Sequence, residues 1–230
     1  MTCSVEGIAR AIDHTLLKPD AVTGDIVNLC RQARSWNFAA VCVNPCHVPL
    51  AARELAGTTV KVCAVAGFPL GANTTAVKAA EVVESLQAGA EEVDVVINIG
   101  LLKGGRPDLV RAELDTVIRA AKSAKPEALV KVILETGLLT GAEKVAACRA
   151  AVAAGADFVK TCTGFSSGGA TPGDVRLLRQ TVGERCGVKA AGGIRTLTAA
   201  VALLEAGADR LGTSSGVAIM EELVAGQPRG

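Results

Sequence analysis

The sequence predicts a closed barrel of eight parallel strands alternating with helices, a (β/α)8 TIM-barrel architecture formed by residues 1–230 as a single α/β domain. Three observations predict it. One phrase occurs three times, as Ala88-Gly89-Ala90-Glu91-Glu92-Val93-Asp94, Ala154-Gly155-Ala156-Asp157-Phe158-Val159-Lys160 and Ala206-Gly207-Ala208-Asp209-Arg210-Leu211-Gly212, each with the form of a helix ending on glycine and feeding a strand. Short apolar runs of strand length alternate with Ala-rich helical stretches, the pattern of a parallel sheet buried on both faces. A length of 230 residues, half of them hydrophobic, suits one large domain better than two small ones.

The strands follow in order. The first is placed at residues 12–15 and the second at 39–43, an Ala-Ala-Val-Cys-Val run. The third, 60–66, stops at Gly67, and the fourth, 93–98, issues from the first copy of the phrase. The fifth is the Val-Lys-Val-Ile-Leu-Glu run at 130–135, and the sixth, 158–161, lies in the second copy. The seventh, 188–191, ends at Gly192-Gly193, and the eighth, 210–213, lies in the third copy. An open doubly wound sheet is the alternative that the same alternation allows. Strand side chains change face with period two, so Asp94 and Lys160, both seventh in the phrase, point the same way.

Composition excludes several functions. Lysine plus arginine (24) nearly cancels aspartate plus glutamate (23), which leaves no basic field for nucleic acid. Aromatics make up 2% of the chain and tyrosine is absent, so stacking platforms for bases are scarce and small-molecule chemistry is favoured. The first ten residues contain Glu6 and lack the apolar core of a secretory signal, and no run approaches a membrane span of ~18 apolar residues. A cytoplasmic location is expected, with the eight cysteines as reduced thiols. Cys42, Cys46 and His47 resemble part of a metal site, but Pro45 interrupts them and no fourth ligand follows, so no metal is expected.

Two lysines carry the chemistry. Lys160 and Lys189 each sit inside a short apolar run that finishes in glycine. Burial disfavours an ammonium, and two cations ~4 Å apart at an effective dielectric of about 20 repel by roughly 4 kcal/mol, so the pair points to a neutral, nucleophilic amine. That is the requirement for a Schiff-base lysine. The plainer readings are a lysine that extends its ammonium into water, and a structural ion pair between Asp94 and one lysine. The turns Gly192-Gly193-Ile194-Arg195-Thr196 and Gly212-Thr213-Ser214-Ser215-Gly216 follow the last two strands, where barrels of this kind often hold a phosphate on backbone N–H groups.

These motifs, with Ile12-Asp13-His14-Thr15-Leu16-Leu17, Val41-Cys42-Val43-Asn44-Pro45, Val65-Ala66-Gly67-Phe68-Pro69-Leu70-Gly71 and Phe158-Val159-Lys160-Thr161-Cys162-Thr163-Gly164, resemble those of the deoxyribose-phosphate aldolase family over nearly the whole chain. The resemblance implies a class I aldolase, without metal or cofactor, that reversibly cleaves 2-deoxy-D-ribose 5-phosphate to D-glyceraldehyde 3-phosphate and acetaldehyde. It implies an imine on Lys160, a proton relay of Asp94 and Lys189 supported by Asp13, and Cys42 and Asn44 near the substrate. It places Thr163, Gly164, Gly192, Gly193, Ser214 and Ser215 among the substrate contacts, and implies a homodimer or homotetramer. Two departures stand out. Some longer members end in a tyrosine that shuttles a proton, whereas residues 226–230 here contain none, and Cys162 stands where serine is frequent.

Overall fold

The computed structural model describes residues 4–226. All eight expected strands are present: β1 (Ile12–Leu16), β2 (Ala40–Val43), β3 (Lys61–Ala66), β4 (Glu92–Val96), β5 (Leu129–Ile133), β6 (Phe158–Lys160), β7 (Gly187–Ala191) and β8 (Arg210–Thr213). They pair in sequence order, every pair parallel, and β8 closes on β1. The open doubly wound alternative is thereby excluded.

Among the described residues ten α-helices pack outside or cap the ring: α1 (Val5–Ala9), α2 (Thr23–Trp36), α3 (Val48–Glu54), α4 (Thr75–Gln87), α5 (Ile99–Lys103), α6 (Pro107–Ala124), α7 (Gly141–Ala153), α8 (Pro172–Val182), α9 (Leu197–Glu205) and α10 (Gly216–Ala225). Threonine starts four of them, with Thr74, Thr140, Thr171 and Thr196 each accepting a hydrogen bond from a first-turn N–H. The phrase that recurs in the sequence is the stop signal expected of it. Gly89, Gly155 and Gly207 follow α4, α7 and α9 with φ of 115°, 83° and 109°, a conformation that costs glycine no steric penalty. None of the described helices is long and apolar enough to cross a membrane.

Strand ends differ slightly from expectation. β4 stops at Val96 because Asn98 caps α5, accepting a hydrogen bond from the Leu101 N–H. β5 stops at Ile133 because Glu135 adopts a left-handed conformation (φ 59°) ahead of a short 3-10 turn.

Alternation along the strands separates two interiors. Val41, Val43, Val62, Val93, Val95, Val130, Val132, Val159, Val188 and Leu211 face the helices and form one continuous apolar shell with Ile26, Val82, Leu114, Val117 and Leu178. The residues between them face the axis. One sector of that inner space is apolar, where Leu17, Ala40, Cys42, Cys63 and Val65 pack with Phe68. Paired charge fills much of the rest.

Candidate active site

Every strand sends a titratable side chain into the barrel: Asp13, Cys42, Cys63, Glu92 with Asp94, Lys131, Lys160, Lys189 and Arg210, from β1 to β8 in order. The repeat explains much of this placement. Its fifth residues are Glu92, Phe158 and Arg210, and they meet: Arg210 Nη2 lies 2.9 Å from Glu92 Oε1, with the guanidinium 6.0 Å from the Phe158 ring centre. Its seventh residues are Asp94, Lys160 and Gly212. Asp94 reaches Lys160, and Gly212 leaves the room that Lys189 occupies, since a Cβ there would stand 3.1 Å from Lys189 Cε.

Asp94 is the hub. Its Oδ2 accepts hydrogen bonds from Lys160 Nζ at 2.8 Å and Lys189 Nζ at 2.7 Å, and its Oδ1 accepts from Lys131 Nζ at 2.9 Å and from the Cys63 thiol at 3.2 Å. Lys189 also contacts Asp13 Oδ2 at 2.5 Å, and Lys131 contacts Glu92 Oε2 at 2.6 Å; both are close ion contacts rather than aligned hydrogen bonds. Arg210 pairs with Asp13 from the other side.

This geometry corrects one expectation. The lysines do not lie in apolar surroundings; a carboxylate stands between Lys160 and Lys189. Burial raises the Asp94 carboxyl, yet Lys131, Lys160 and Lys189 outweigh it and hold that carboxyl well below its ordinary value. Burial acts the same way on Asp13, and Lys189, Arg210 and Lys131 bring it to about 2. Burial lowers the ammonium of Lys189 and that of Lys131, but the acidic neighbours prevail, with Asp13 and Asp94 raising the first and Asp94, Cys63 and Glu92 raising the second. Lys189 and Lys131 are therefore firm cations. Lys160 alone among the three lysines touches a single carboxylate, through an oxygen it shares with Lys189.

Lys160 is the last residue of β6 and enters a cavity of about 250 Å³ at the C-terminal end of the barrel. Thr163, Gly164, Gly192, Gly193 and Ser214 line the same cavity. Asp94, Lys189 and Asp13 are fully buried and do not line the cavity; they meet its Lys160 through the Asp94 carboxylate. Cys42 is fully buried below the mouth beside Cys63, which by hydrogen bonding lowers the Cys42 thiol from its usual value. Asn44 does not line the cavity; its Nδ2 donates to the Leu17 carbonyl at 3.3 Å and so steadies the β1 loop, which does. Ser215 also stays out, with its N–H given to Thr213 Oγ1 at 2.9 Å.

Lys18 and Arg195 line the cavity with Gly193 and Ser214. Two cations and a glycine turn in one lining suit it to a phosphate. Thr163 is fixed by Glu135, which accepts hydrogen bonds from its N–H and its hydroxyl. Cys162 is buried with its Sγ 3.4 Å from Thr136 Oγ1, so the exchange for serine alters that hydrogen bond.

The metal set considered from sequence is not assembled, because Cys46 is exposed on the turn Pro45–His47 while Cys42 is inside the barrel. Donor atoms of Cys42, Cys63 and Asp94 do lie within 4.8 Å of one another. Lys131 approaches Cys63 Sγ at 3.3 Å and three ammonium groups hold Asp94, so a divalent cation would have to displace charges already paired.

Lys131, Glu92, Arg210, Cys63 and Lys18 were not singled out from the sequence. The first had a visible signal: Val130-Lys131-Val132 repeats the lysine-in-an-apolar-run pattern that marks Lys160 and Lys189. Glu92 and Arg210 shared a repeat position two residues from one already assigned to the interior.

The DeoC/LacD family aldolase sequence pattern matches residues 8–222. A deoxyribose-phosphate aldolase from Carboxydothermus hydrogenoformans is 56% identical over 220 residues, 96% of either chain, and one from Geobacillus sp. is 58% identical over 214, 93% of this chain and 95% of the relative. The solved tetrameric deoxyribose phosphate aldolase of Aeropyrum pernix superposes with a TM-score of 0.90 at 38% identity, covering 96% of this chain and 93% of its own. On a barrel with a lysine at its mouth and a match that spans most of its length, the chain belongs to the DeoC/LacD family of aldolases.

Proposed function

We propose that this aldolase cleaves 2-deoxy-D-ribose 5-phosphate to D-glyceraldehyde 3-phosphate and acetaldehyde, and catalyses the reverse addition, through an imine on Lys160. The observation that carries the reading is the Lys160 amine in the lining of the cavity, bound to one oxygen of Asp94 that Lys189 also holds. The substrate named for the Carboxydothermus and Geobacillus relatives supports the choice of sugar.

The uncharged Lys160 amine attacks C1 of the open-chain aldehyde. Asp94, whose Oδ2 accepts from both the Lys160 and the Lys189 nitrogens, relays from the Lys189 ammonium the proton with which water leaves. The resulting iminium draws electrons from the C2–C3 bond once the C3 hydroxyl gives up its proton. The bond breaks, glyceraldehyde 3-phosphate departs, and the enamine takes a proton at C2 before hydrolysis frees acetaldehyde. Asp13 anchors Lys189 from below. Gly193, Ser214, Lys18 and Arg195 hold the phosphate, which fixes C1 over the lysine and makes attack effectively intramolecular.

A phosphorylated sugar substrate favours the cytoplasm, and the tetrameric Aeropyrum relative supports a homodimer or homotetramer. Acetaldehyde with borohydride, followed by peptide mass mapping, tests the chemistry. A single reduced ethyl adduct on Lys160 is expected; an adduct on Lys189 or Lys131 instead, or none, would contradict the assignment.

A further inference from the structure

The charge beneath Lys160 exceeds what the reaction steps use. Lys131 and Glu92 touch neither the cavity nor the Lys160 amine, yet both are buried and both join the network through Asp94. We propose that Lys131 and Glu92 are positioning residues that act through Asp94 to set the pH at which Lys160 forms its imine. The proposal rests on the reading of Lys160 as the imine-forming lysine.

The cations facing the axis are Lys131, Lys160, Lys189 and Arg210, and the carboxylates are Asp13, Glu92 and Asp94; the remaining titratable groups there are the thiols Cys42 and Cys63. With both thiols protonated, the interior holds one positive charge in excess. Lys189 touches Asp13 and Asp94, Arg210 touches Asp13 and Glu92, and Lys131 touches Glu92, Asp94 and, at 3.9 Å, Asp13. Lys160 touches Asp94 alone. Of the four cations that face the axis, the one that lines the cavity thus has the fewest carboxylate contacts.

Lys131 strengthens this in a second way. By occupying Asp94 Oδ1 it leaves only Oδ2 for Lys160 and Lys189 together. Replacing Lys131 with methionine removes a cation and frees that oxygen, which favours the Lys160 ammonium. Replacing Glu92 with glutamine removes an anion and does the opposite. A unit charge one carboxylate away moves a titration by roughly one to two pH units at an effective dielectric of about 20.

The test is the pH dependence of Lys160 labelling by acetaldehyde and cyanoborohydride, measured on the full chain and on Lys131→Met, Glu92→Gln and the double variant. The acid limb is expected to move up by roughly one to two units in Lys131→Met, down by a similar amount in Glu92→Gln, and back to the wild-type position in the double variant, whose count equals that of the wild type. A merely structural role would lower yield without this opposed pattern. Limbs that stay in place, shift in the same direction, or fail to return in the double variant overturn the proposal. Should Lys131→Met not fold, the nearly isosteric Glu92→Gln decides alone, and an unmoved limb there is fatal. Wild-type protein labelled at Lys160 with unmoved variants leaves the imine reading standing; wild-type protein unlabelled at Lys160 ends both.

Discussion

Asp13 shows how one buried residue links chemistry to folding. It is fully buried, its neighbours are Lys189 and Arg210, and its carboxyl titrates at about 2. In the unfolded chain it titrates near 3.9. The folded value is the lower one, so the stabilisation is complete above about pH 4 and fades as pH falls through about 2. The difference corresponds to roughly 2 kcal/mol. Urea titrations from pH 5 to pH 2 are expected to show Asp13→Asn less stable at pH 5, with a decline toward pH 2 shallower than that of the wild type by about that amount. Parallel declines would assign the acid sensitivity to other carboxylates. Lys160 is the counter-case, a residue the network holds loosely and the proposed reaction uses directly.

At the scale of the elements, the helix-glycine-strand phrase does two separate jobs, and its glycines separate them experimentally. Gly155 ends α7 with φ 83° and has open space where a Cβ would go. Gly155→Ala is therefore expected to cost only the left-handed backbone penalty, about 1 kcal/mol, with turnover unchanged. Gly212 faces the axis on β8, where a Cβ would sit 3.0 Å from Ala191 Cβ and 3.1 Å from Lys189 Cε. Gly212→Ala is expected to displace the Lys189 ammonium from Asp94, lowering kcat by at least about tenfold, with overpacking costing about 1–3 kcal/mol. Equal kcat in the two variants would refute the assignment of Gly212 to the floor of the site. The same phrase explains what was legible in advance. Its seventh position gave Asp94 and Lys160 a common face, and period two extended that to Glu92 and Arg210, whose charges are easily taken for solvent-facing ones. The stagger of strands in a closed ring is not written in any single strand, so the number of ammonium groups on Asp94 emerged only in three dimensions. Lys18 and Phe165 reach the cavity from loops, where no periodicity points to them.

The whole molecule divides its labour between two interiors. Packing resides in the apolar shell between strands and helices, whereas the space inside the ring is given to paired charge, a poor stabiliser next to apolar packing of equal volume. Such a division lets the inner residues be selected for reactivity while the outer ones hold the strands in place. It predicts that stability and catalysis can be changed independently. Leu134 is fully buried just past β5; its backbone N–H donates to the Lys160 carbonyl at 2.9 Å, while its side chain belongs to the outer apolar shell. Leu134→Ala removes buried methyl groups and leaves a cavity against the helices, an expected loss of about 2–5 kcal/mol in a urea titration. At a temperature where the variant remains folded, its kcat and the pH dependence of Lys160 labelling are expected to match the wild type, because the Asp94 hydrogen bonds lie on the opposite face of the sheet. A shift in the labelling profile of Leu134→Ala comparable to that expected of Glu92→Gln would show that the two interiors are mechanically coupled and that the barrel wall does not insulate them.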